Sequence, residues 1–175
     1  MRRAGGRPAR ASRRSPDQAY ALLDADETAG VKLLEVGPSL APSRAASVLD
    51  VAPNTPVVAR RRLVVADDIG PIELGTAYVP VELAAGTDIG ASAPLPEGLL
   101  RHLTVRKGIE FDHATERISA RLPSSDEAAL LEIGRRDCLL TVLLGVYDRA
   151  GTPLVAVDVM LPATRHELED VFPLA

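Results

Sequence analysis

The sequence predicts an α+β fold, an antiparallel sheet with helices packed on it, and two stretches of the chain carry this prediction. The first covers residues 57–81, where the β-branched run Val57–Val65 meets turn residues at 66–70 and a second extended run follows. The second covers residues 138–161, with an Asp-to-Gly turn at 148–151 between two aliphatic runs. Each stretch is typical of a β-hairpin, and two hairpins predict one antiparallel sheet.

Two further strands and a connecting loop are expected around these hairpins. The short run Val31–Val36 predicts a strand before the first hairpin. Ile109–Leu122 alternates charged and less polar residues, which is typical of a long strand with one face exposed to water. Residues 81–93 contain two glycines and are expected to form a loop.

Helices are expected to pack on this sheet near residues 42–50, 95–104 and 125–133. Pro42 stands in the first turn of the first helix, where its missing N–H removes no hydrogen bond. Ser124 and Glu127 have the spacing of a capping box at the start of the third helix. Weaker signals predict short helical segments at 18–23 and 165–171.

Charge divides the chain into two parts. Residues 1–14 contain six arginines and no acidic residue, whereas the rest holds 14 basic and 24 acidic side chains, a formal net charge of −10. We expect residues 1–30 to form a basic, disordered arm or linker remnant and residues 31–175 to form the folded domain. Such an acidic domain is not a surface for duplex DNA, and no helix-turn-helix pattern fits within the first thirty residues.

Composition indicates which residue types form the core and in which compartment the protein is expected. Apolar residues make up 46% of the chain and aromatic residues 3%, with no Trp, so the core must consist of Leu, Val and Ala. The single cysteine, Cys138, excludes a disulfide within the chain and is expected to be a small buried group. No apolar run reaches the roughly 18 residues of a membrane helix, and the N-terminal arginines precede no apolar segment. We therefore expect a cytoplasmic location.

The motifs RRLVVAD at 61–67, GPIELGTAYVP at 70–80 and YDRAGTPLVAVDV at 147–159 follow one another in an ordered set. This set resembles the UTRA effector-binding domain of GntR-family, HutC-type transcriptional regulators, over about residues 31–174. The resemblance implies a fold like that of chorismate lyase. It also implies a small-molecule-sensing domain that forms a homodimer, with DNA contacted through a winged-helix domain that this chain lacks.

The resemblance implies a location for the effector as well. In the family, an arginine at the Arg62 position points into the effector pocket and holds a phosphate or carboxylate. Alternation along the strand places Arg60 on the same face as Arg62, and cross-strand pairing with Glu73 or another acid is the alternative role for these cations. Asp158 is expected to pair with Arg62 or to face water. The full set of predicted effector-binding residues is Arg62, Arg60, Tyr78, His113, Tyr147 and Asp158.

Several polar positions of the family pattern are apolar in this chain. The second arginine of the family falls on Val64, and its two glutamates fall on Gly75 and Val155. The pocket is therefore expected, if it binds a ligand, to prefer a small anionic or partly apolar effector over a sugar phosphate.

Two other functions remain open at this stage. One is a chorismate lyase-like enzyme, which would have the same fold. The other is a stand-alone dimerisation module, which the sequence does not distinguish from a sensing domain. No nucleophile motif, phosphate loop or dinucleotide fingerprint is present, and the three histidines fall on different elements without metal-ligand spacing. We expect no enzymatic activity, no catalytic residue, no metal and no cofactor.

Overall fold

The computed structural model describes Glu27 and residues 30–168. In this part of the chain, six strands form one antiparallel sheet in the order β1-β2-β3-β6-β5-β4. The strands are β1 (Val31–Leu40), β2 (Pro56–Ala66), β3 (Gly70–Pro80), β4 (His113–Arg121), β5 (Leu139–Tyr147) and β6 (Pro153–Pro162). Both predicted hairpins are confirmed, as β2–β3 and β5–β6, and they lie side by side at the centre of the sheet because β3 pairs with β6.

Within the described residues, four α-helices and one 3-10 helix accompany the sheet. They are α1 (Ser43–Leu49), α2 (Val81–Ala84), the 3-10 helix (Asp88–Gly90), α3 (Leu99–Lys107) and α4 (Ser125–Leu130). The capping box at α4 is confirmed, since Ser124 Oγ accepts the Glu127 N–H at 3.2 Å and Glu127 Oε2 accepts the Ser124 N–H at 2.8 Å. No helix among these residues is long and apolar enough to cross a membrane.

Strand alternation divides the core between the two faces of the sheet. On one face, Val155, Val157 and Val159 of β6 pack with α3 and the 3-10 helix. On the other face, Ala156 of β6 and Leu143 of β5 pack with the small residues of α1. The face covered by α3 is the one that receives the side chains of Arg60 and Arg62.

Some predicted element boundaries were wrong. The helix predicted at 95–104 begins only at Leu99, because Gly98 has a φ of 80°, outside the helical region. It continues to Lys107 and ends at Gly108, whose φ of 66° is the left-handed conformation common after helices. β1 continues past Val36 to Leu40, because it pairs along the length of β2.

The prediction for β4 also needs correction. The strand begins at His113 rather than Ile109, and nearly all of its side chains are exposed instead of those on one face only. The reason is that β4 is an edge strand, bonded to β5 alone. The predicted loop at 81–93 contains two short helices.

Cys138 is exposed rather than buried, because it stands just before β5 and outside the strand ladder. Residues 165–168 show no helix, so the described part of the predicted helical segment at 165–171 was wrong. The remainder of that segment, the predicted helix at 18–23 and nearly all of the expected N-terminal arm lie outside the described residues.

Candidate functional site

The site is built on β2, where alternate residues point to the same face of the sheet. Arg60 and Arg62 both face the layer formed by the 3-10 helix and α3, as the sequence predicted. The residues that pair with them across β3, Ala77 and Gly75, are small, and the sheet contributes one further charge beside them, the Glu73 carboxylate. The residues around the space are Glu27, Arg60, Arg62, Gly75, Ala77, Leu99 and Val157.

Arg60 is almost completely buried, with 2% of its surface exposed, and its guanidinium is fully engaged. Three of its N–H groups donate to the backbone oxygens of Ile89, Ala91 and Ala93, at 2.7, 2.9 and 2.9 Å. Nε donates to Glu27 Oε1 at 3.1 Å, and Nη2 donates to Glu27 Oε2. All five donors of the guanidinium therefore have acceptors.

Glu27 supplies the negative charge that this buried cation requires. Its carboxylate receives both guanidinium bonds from Arg60 and, in addition, the backbone N–H of Leu95 at 2.8 Å. Burial of either ion alone would be costly, and the bidentate arrangement with a third donor offsets much of that cost. The arrangement fastens residue 27 to β2 and to the segment between the 3-10 helix and α3.

A buried histidine holds the same segment in place. His102 Nδ1 donates to Glu97 Oε1 at 2.7 Å, and Nε2 accepts the backbone N–H of Asp88 at 3.3 Å. The hydrogen bond from His102 lowers the pKa of the Glu97 carboxyl. His102 thereby links both ends of the segment that presents backbone groups to Arg60.

Arg62 forms its ion pair on the neighbouring strand. Its Nη2 lies 3.1 Å from Glu73 Oε1, and both side chains are about nine-tenths buried. Burial raises the pKa of the Glu73 carboxyl, while the nearby Arg62 charge lowers it, and burial has the larger effect. The alternative that the sequence left open, cross-strand pairing with Glu73, is confirmed for Arg62.

The space left between these groups is small. The cavity beside Arg60 and Arg62 has a volume of about 10 Å³, which is room for about one water molecule. Gly75 contributes to it, because a Cβ there would lie 3.2 Å from Glu73 Oε1 and 3.7 Å from Arg62 Nε. Glu27 thus fills most of the position at which a ligand could meet Arg60.

Comparison with known proteins identifies the family. The model of the UTRA domain matches residues 24–167. This chain belongs to the UTRA domain family. A 90-residue part of it is 38% identical to an uncharacterized HTH-type transcriptional regulator of Streptomyces coelicolor, over 50% of this chain and 33% of the relative. The matched part thus spans about a third of that curated relative.

Solved structures agree with this family. A GntR-family transcriptional regulator from Enterococcus faecalis superposes with a TM-score of 0.67 at 25% identity, covering 79% of this chain and 97% of that one. The effector domain of PhnF from Mycobacterium smegmatis superposes with a TM-score of 0.68 at 23% identity, covering 83% and 87% of the two chains. The chain is a regulatory domain of the UTRA type, and the expected α+β, chorismate lyase-like fold is confirmed.

The UTRA domain does not bring all six predicted effector residues together. Only Arg60 and Arg62 face the cavity, whereas Tyr78 and Asp158 lie on the α1 face of the sheet. The Asp158 carboxylate pairs with Arg44 of α1 at 3.2 Å, so the expected pair with Arg62 is wrong. Alternation along β6 explains this, because Asp158 and the cavity residue Val157 point to opposite faces.

His113 and Tyr147 form a separate aromatic pair near the edge of the sheet. Their rings are stacked at a centroid distance of 5.0 Å with an interplanar angle of 9°. The Tyr147 hydroxyl reaches over Gly145 toward Val48 of α1, so this pair also lies on the α1 face. Whether these residues bind an effector stays a prediction, but they cannot share one ligand with Arg60 through the sheet.

Sequence reasoning missed Glu27 and the segment from Ile89 to Leu95 as parts of the site. Glu27 falls in the part of the chain that was interpreted as an arm, and a lone glutamate there carries no signal. The backbone oxygens of Ile89, Ala91 and Ala93 leave no trace in the sequence, because any residue supplies a carbonyl. The three adjacent arginines at 60–62 were the detectable signal, and they identified the correct strand.

Proposed function

We propose that this UTRA domain senses a small anionic metabolite, with Arg60 as the main anchor and Arg62 as a second cation, within a GntR-family transcriptional regulator. One observation carries the proposal. Arg60 is a buried guanidinium that already grips a carboxylate in bidentate fashion, at the edge of a cavity between the sheet and α3. Arginine is the side chain best suited to such planar recognition of anions.

The proposal favours a binding module over an enzyme. The structural relatives are domains of transcriptional regulators, and the charged groups at the cavity are arranged as closed ion pairs. Among the residues that the structure describes, no group of three His, Cys, Asp or Glu side chains could hold a metal ion. We therefore assign ligand binding, rather than catalysis, to this cavity. A role in transcription favours a cytoplasmic location.

A metabolite screen by thermal shift tests the assignment. Carboxylates, apolar acids and sugar phosphates are added to the wild type, Arg60→Lys, Arg62→Ala and Arg44→Ala. A ligand at 100 times its dissociation constant should stabilise the wild type by about 2.7 kcal/mol. Loss of one charge-assisted contact is worth about 1.5–3 kcal/mol, so Arg60→Lys should weaken binding roughly 10- to 150-fold. Arg62→Ala should also weaken binding, because it leaves the Glu73 carboxylate without its cation near the anionic ligand.

Arg44→Ala is the control, because Arg44 also pairs with a carboxylate but lies on the opposite face of the sheet. Its ligand response should equal that of the wild type. A ligand whose shift survives both pocket substitutions, or disappears in Arg44→Ala, would place the site elsewhere. A strong response to a sugar phosphate would contradict the expectation drawn from Val64, Gly75 and Val155.

DNA contact is proposed to come from a separate winged-helix domain of the regulator. The chain of 175 residues alone should give no sequence-specific footprint on an operator, because phosphate contacts from the basic N-terminal residues carry no sequence information. Any weak binding should disappear between roughly 50 and 200 mM salt, as counterion release requires. A salt-resistant, sequence-selective footprint would contradict this assignment.

A homodimer is proposed as the working assembly. Large apolar side chains stand exposed at the β4 end of the sheet, including Ile118 at 49% and Leu122 at 60%, and a second copy could cover them. Dimeric regulators match the two-fold symmetry of their operators. Sedimentation at micromolar concentration should give the mass of two chains, and a monomer alone would count against the proposal.

A further inference from the structure

We propose that Glu27 is an internal substitute for the effector's carboxylate, and that a monocarboxylate effector binds Arg60 by displacing it. This inference rests on the proposed effector-sensing function and specifies both the chemical class of the ligand and the competition it meets. It assigns to Glu27 a role beyond neutralising the buried charge of Arg60.

The contacts of Glu27 are those that a bound ligand would make. Its two carboxylate oxygens receive Nε and Nη2 of Arg60, and one of them also receives the Leu95 N–H at 2.8 Å. These donors belong to β2 and to the segment before α3, 33 and 68 residues away in sequence. A free carboxylate could accept the same three hydrogen bonds.

The position of the Arg60 guanidinium does not depend on Glu27. Arg60 keeps three hydrogen bonds, to the backbone oxygens of Ile89, Ala91 and Ala93, whichever carboxylate it faces. The segment that carries those oxygens is held by His102 through Asp88 and by α3. Arg60 is therefore pre-organised, and a pre-organised site binds a ligand without an ordering cost.

Available space excludes simultaneous binding. With Glu27 in place, the cavity of about 10 Å³ accepts one water molecule and no metabolite. A ligand that reaches Arg60 must take the position of the Glu27 carboxylate. Binding of the two carboxylates is thus mutually exclusive, and residue 27 is released from Arg60 whenever the effector binds.

The balance of charge selects the class of ligand. Arg62 is already paired with Glu73, so departure of Glu27 uncovers one positive charge, that of Arg60. The three carbonyl oxygens that accept hydrogen bonds from Arg60 already place partial negative charge beside it. A planar carboxylate with one negative charge fits this environment, whereas a doubly charged phosphate would bring a surplus charge into a buried site.

Competition within the chain lowers the apparent affinity of the wild type. Glu27 is tethered, so its effective concentration at Arg60 is high compared with that of a dilute metabolite. Removal of its carboxylate should therefore increase the affinity for a free carboxylate by at least about 10-fold, the equivalent of one charge-assisted hydrogen bond.

Chemical rescue tests the inference with acetate as the probe. Glu27→Ala removes a methylene and a carboxylate, which acetate supplies in the same shape. The melting temperature of the full chain is measured against sodium acetate, with sodium chloride holding the ionic strength constant. Glu127→Ala is the control, because Glu127 pairs with Arg121, whose side chain is 40% exposed, so that water competes with acetate for this arginine.

We expect acetate to raise the melting temperature of Glu27→Ala with a midpoint at least about 10-fold lower than in the wild type, and to leave Glu127→Ala unrescued. Inorganic phosphate should not rescue Glu27→Ala. Equal acetate responses in the wild type and Glu27→Ala would overturn the inference, and so would preferential rescue by phosphate.

If Glu27→Ala does not fold without acetate, Glu27→Gln provides the second measurement. Its side chain keeps the length of glutamate but lacks the charge, so acetate, measured by calorimetry, should bind it at least about 10-fold more tightly than the wild type. Equal affinities would refute the competition. The proposed function would still be supported if the metabolite screen found a ligand that binds the wild type and requires Arg60. Failure of the Glu27 competition can therefore be distinguished from failure of the effector-sensing function.

Discussion

Two arginine–glutamate pairs of this domain look alike but are built differently. In the pocket, Arg60 grips Glu27, which comes from outside the sheet and 33 residues away. At the start of α4, Arg121 donates twice to Glu127, at 2.6 Å to each oxygen, six residues along the chain. In the pocket the arginine has three further backbone partners and the glutamate has one. At α4 each side chain has one, because Arg121 donates to Leu122 O and Glu127 accepts the Ser124 N–H.

This difference indicates which partner can be exchanged. Glu127 also accepts the N–H of Ser124 at 2.8 Å, so its removal opens the helix cap together with the ion pair. Arg60 holds three backbone carbonyls without help from Glu27. A carboxylate fixed by its own helix is structural, whereas a carboxylate that meets a pre-organised arginine can be replaced by a ligand.

The largest effect is expected from loss of the pocket arginine. Arg60→Met should lower the free energy of unfolding by about 3–5 kcal/mol, because it leaves the Glu27 carboxylate buried without a cation. Urea denaturation of the full chain measures the change. Arg44→Ala, which breaks the half-exposed pair with Asp158, should cost no more than about 1 kcal/mol. Similar losses in the two variants would contradict the comparison.

A smaller, pH-dependent effect is expected at the helix cap. The hydrogen bonds from Arg121 lower the pKa of Glu127 from 4.5 to about 2. A lowered carboxyl pKa stabilises the fold above pH 4.5, and the stabilisation is lost as the pH falls from about 5 toward 2. Glu127→Gln should cost about 1–2 kcal/mol at neutral pH after allowance for solvent screening, and almost nothing near pH 2. A cost independent of pH would show that the charge does not contribute.

The smallest effect, with the opposite sign, is expected at Glu73. Burial raises its pKa, so the folded state binds a proton more readily than the unfolded state. The wild type therefore loses stability relative to Glu73→Gln as the pH rises through the window above 4.5, by about 1 kcal/mol or less. The free energy of unfolding of Glu73→Gln and of Glu127→Gln is measured relative to the wild type between pH 4 and pH 7. As the pH rises, this difference should become more favourable for Glu73→Gln and less favourable for Glu127→Gln. The same pH dependence in both variants would show that the two carboxylates have similar environments.

The sequence was most informative where local patterns decide the structure. Both hairpins, the capping box of Ser124 and Glu127, and the common face of Arg60 and Arg62 follow from alternation, turn residues and spacing. The cavity itself could not be predicted, because it depends on backbone oxygens and on Glu27, which meets Arg60 only through tertiary contact. Grouping Asp158 with Arg62 failed because the pairing of β3 with β6, which fixes the face of each residue, is a long-range property.

The central claim, that the carboxylate position at Arg60 is exchangeable, is tested most directly by a crystal structure of Glu27→Ala grown with acetate. The account predicts an acetate whose oxygens lie about 3 Å from Arg60 Nε and from the Leu95 nitrogen. It also predicts that Arg60 keeps its bonds to Ile89, Ala91 and Ala93. A collapsed site, with Arg60 turned away from those oxygens and no acetate beside it, would contradict the account.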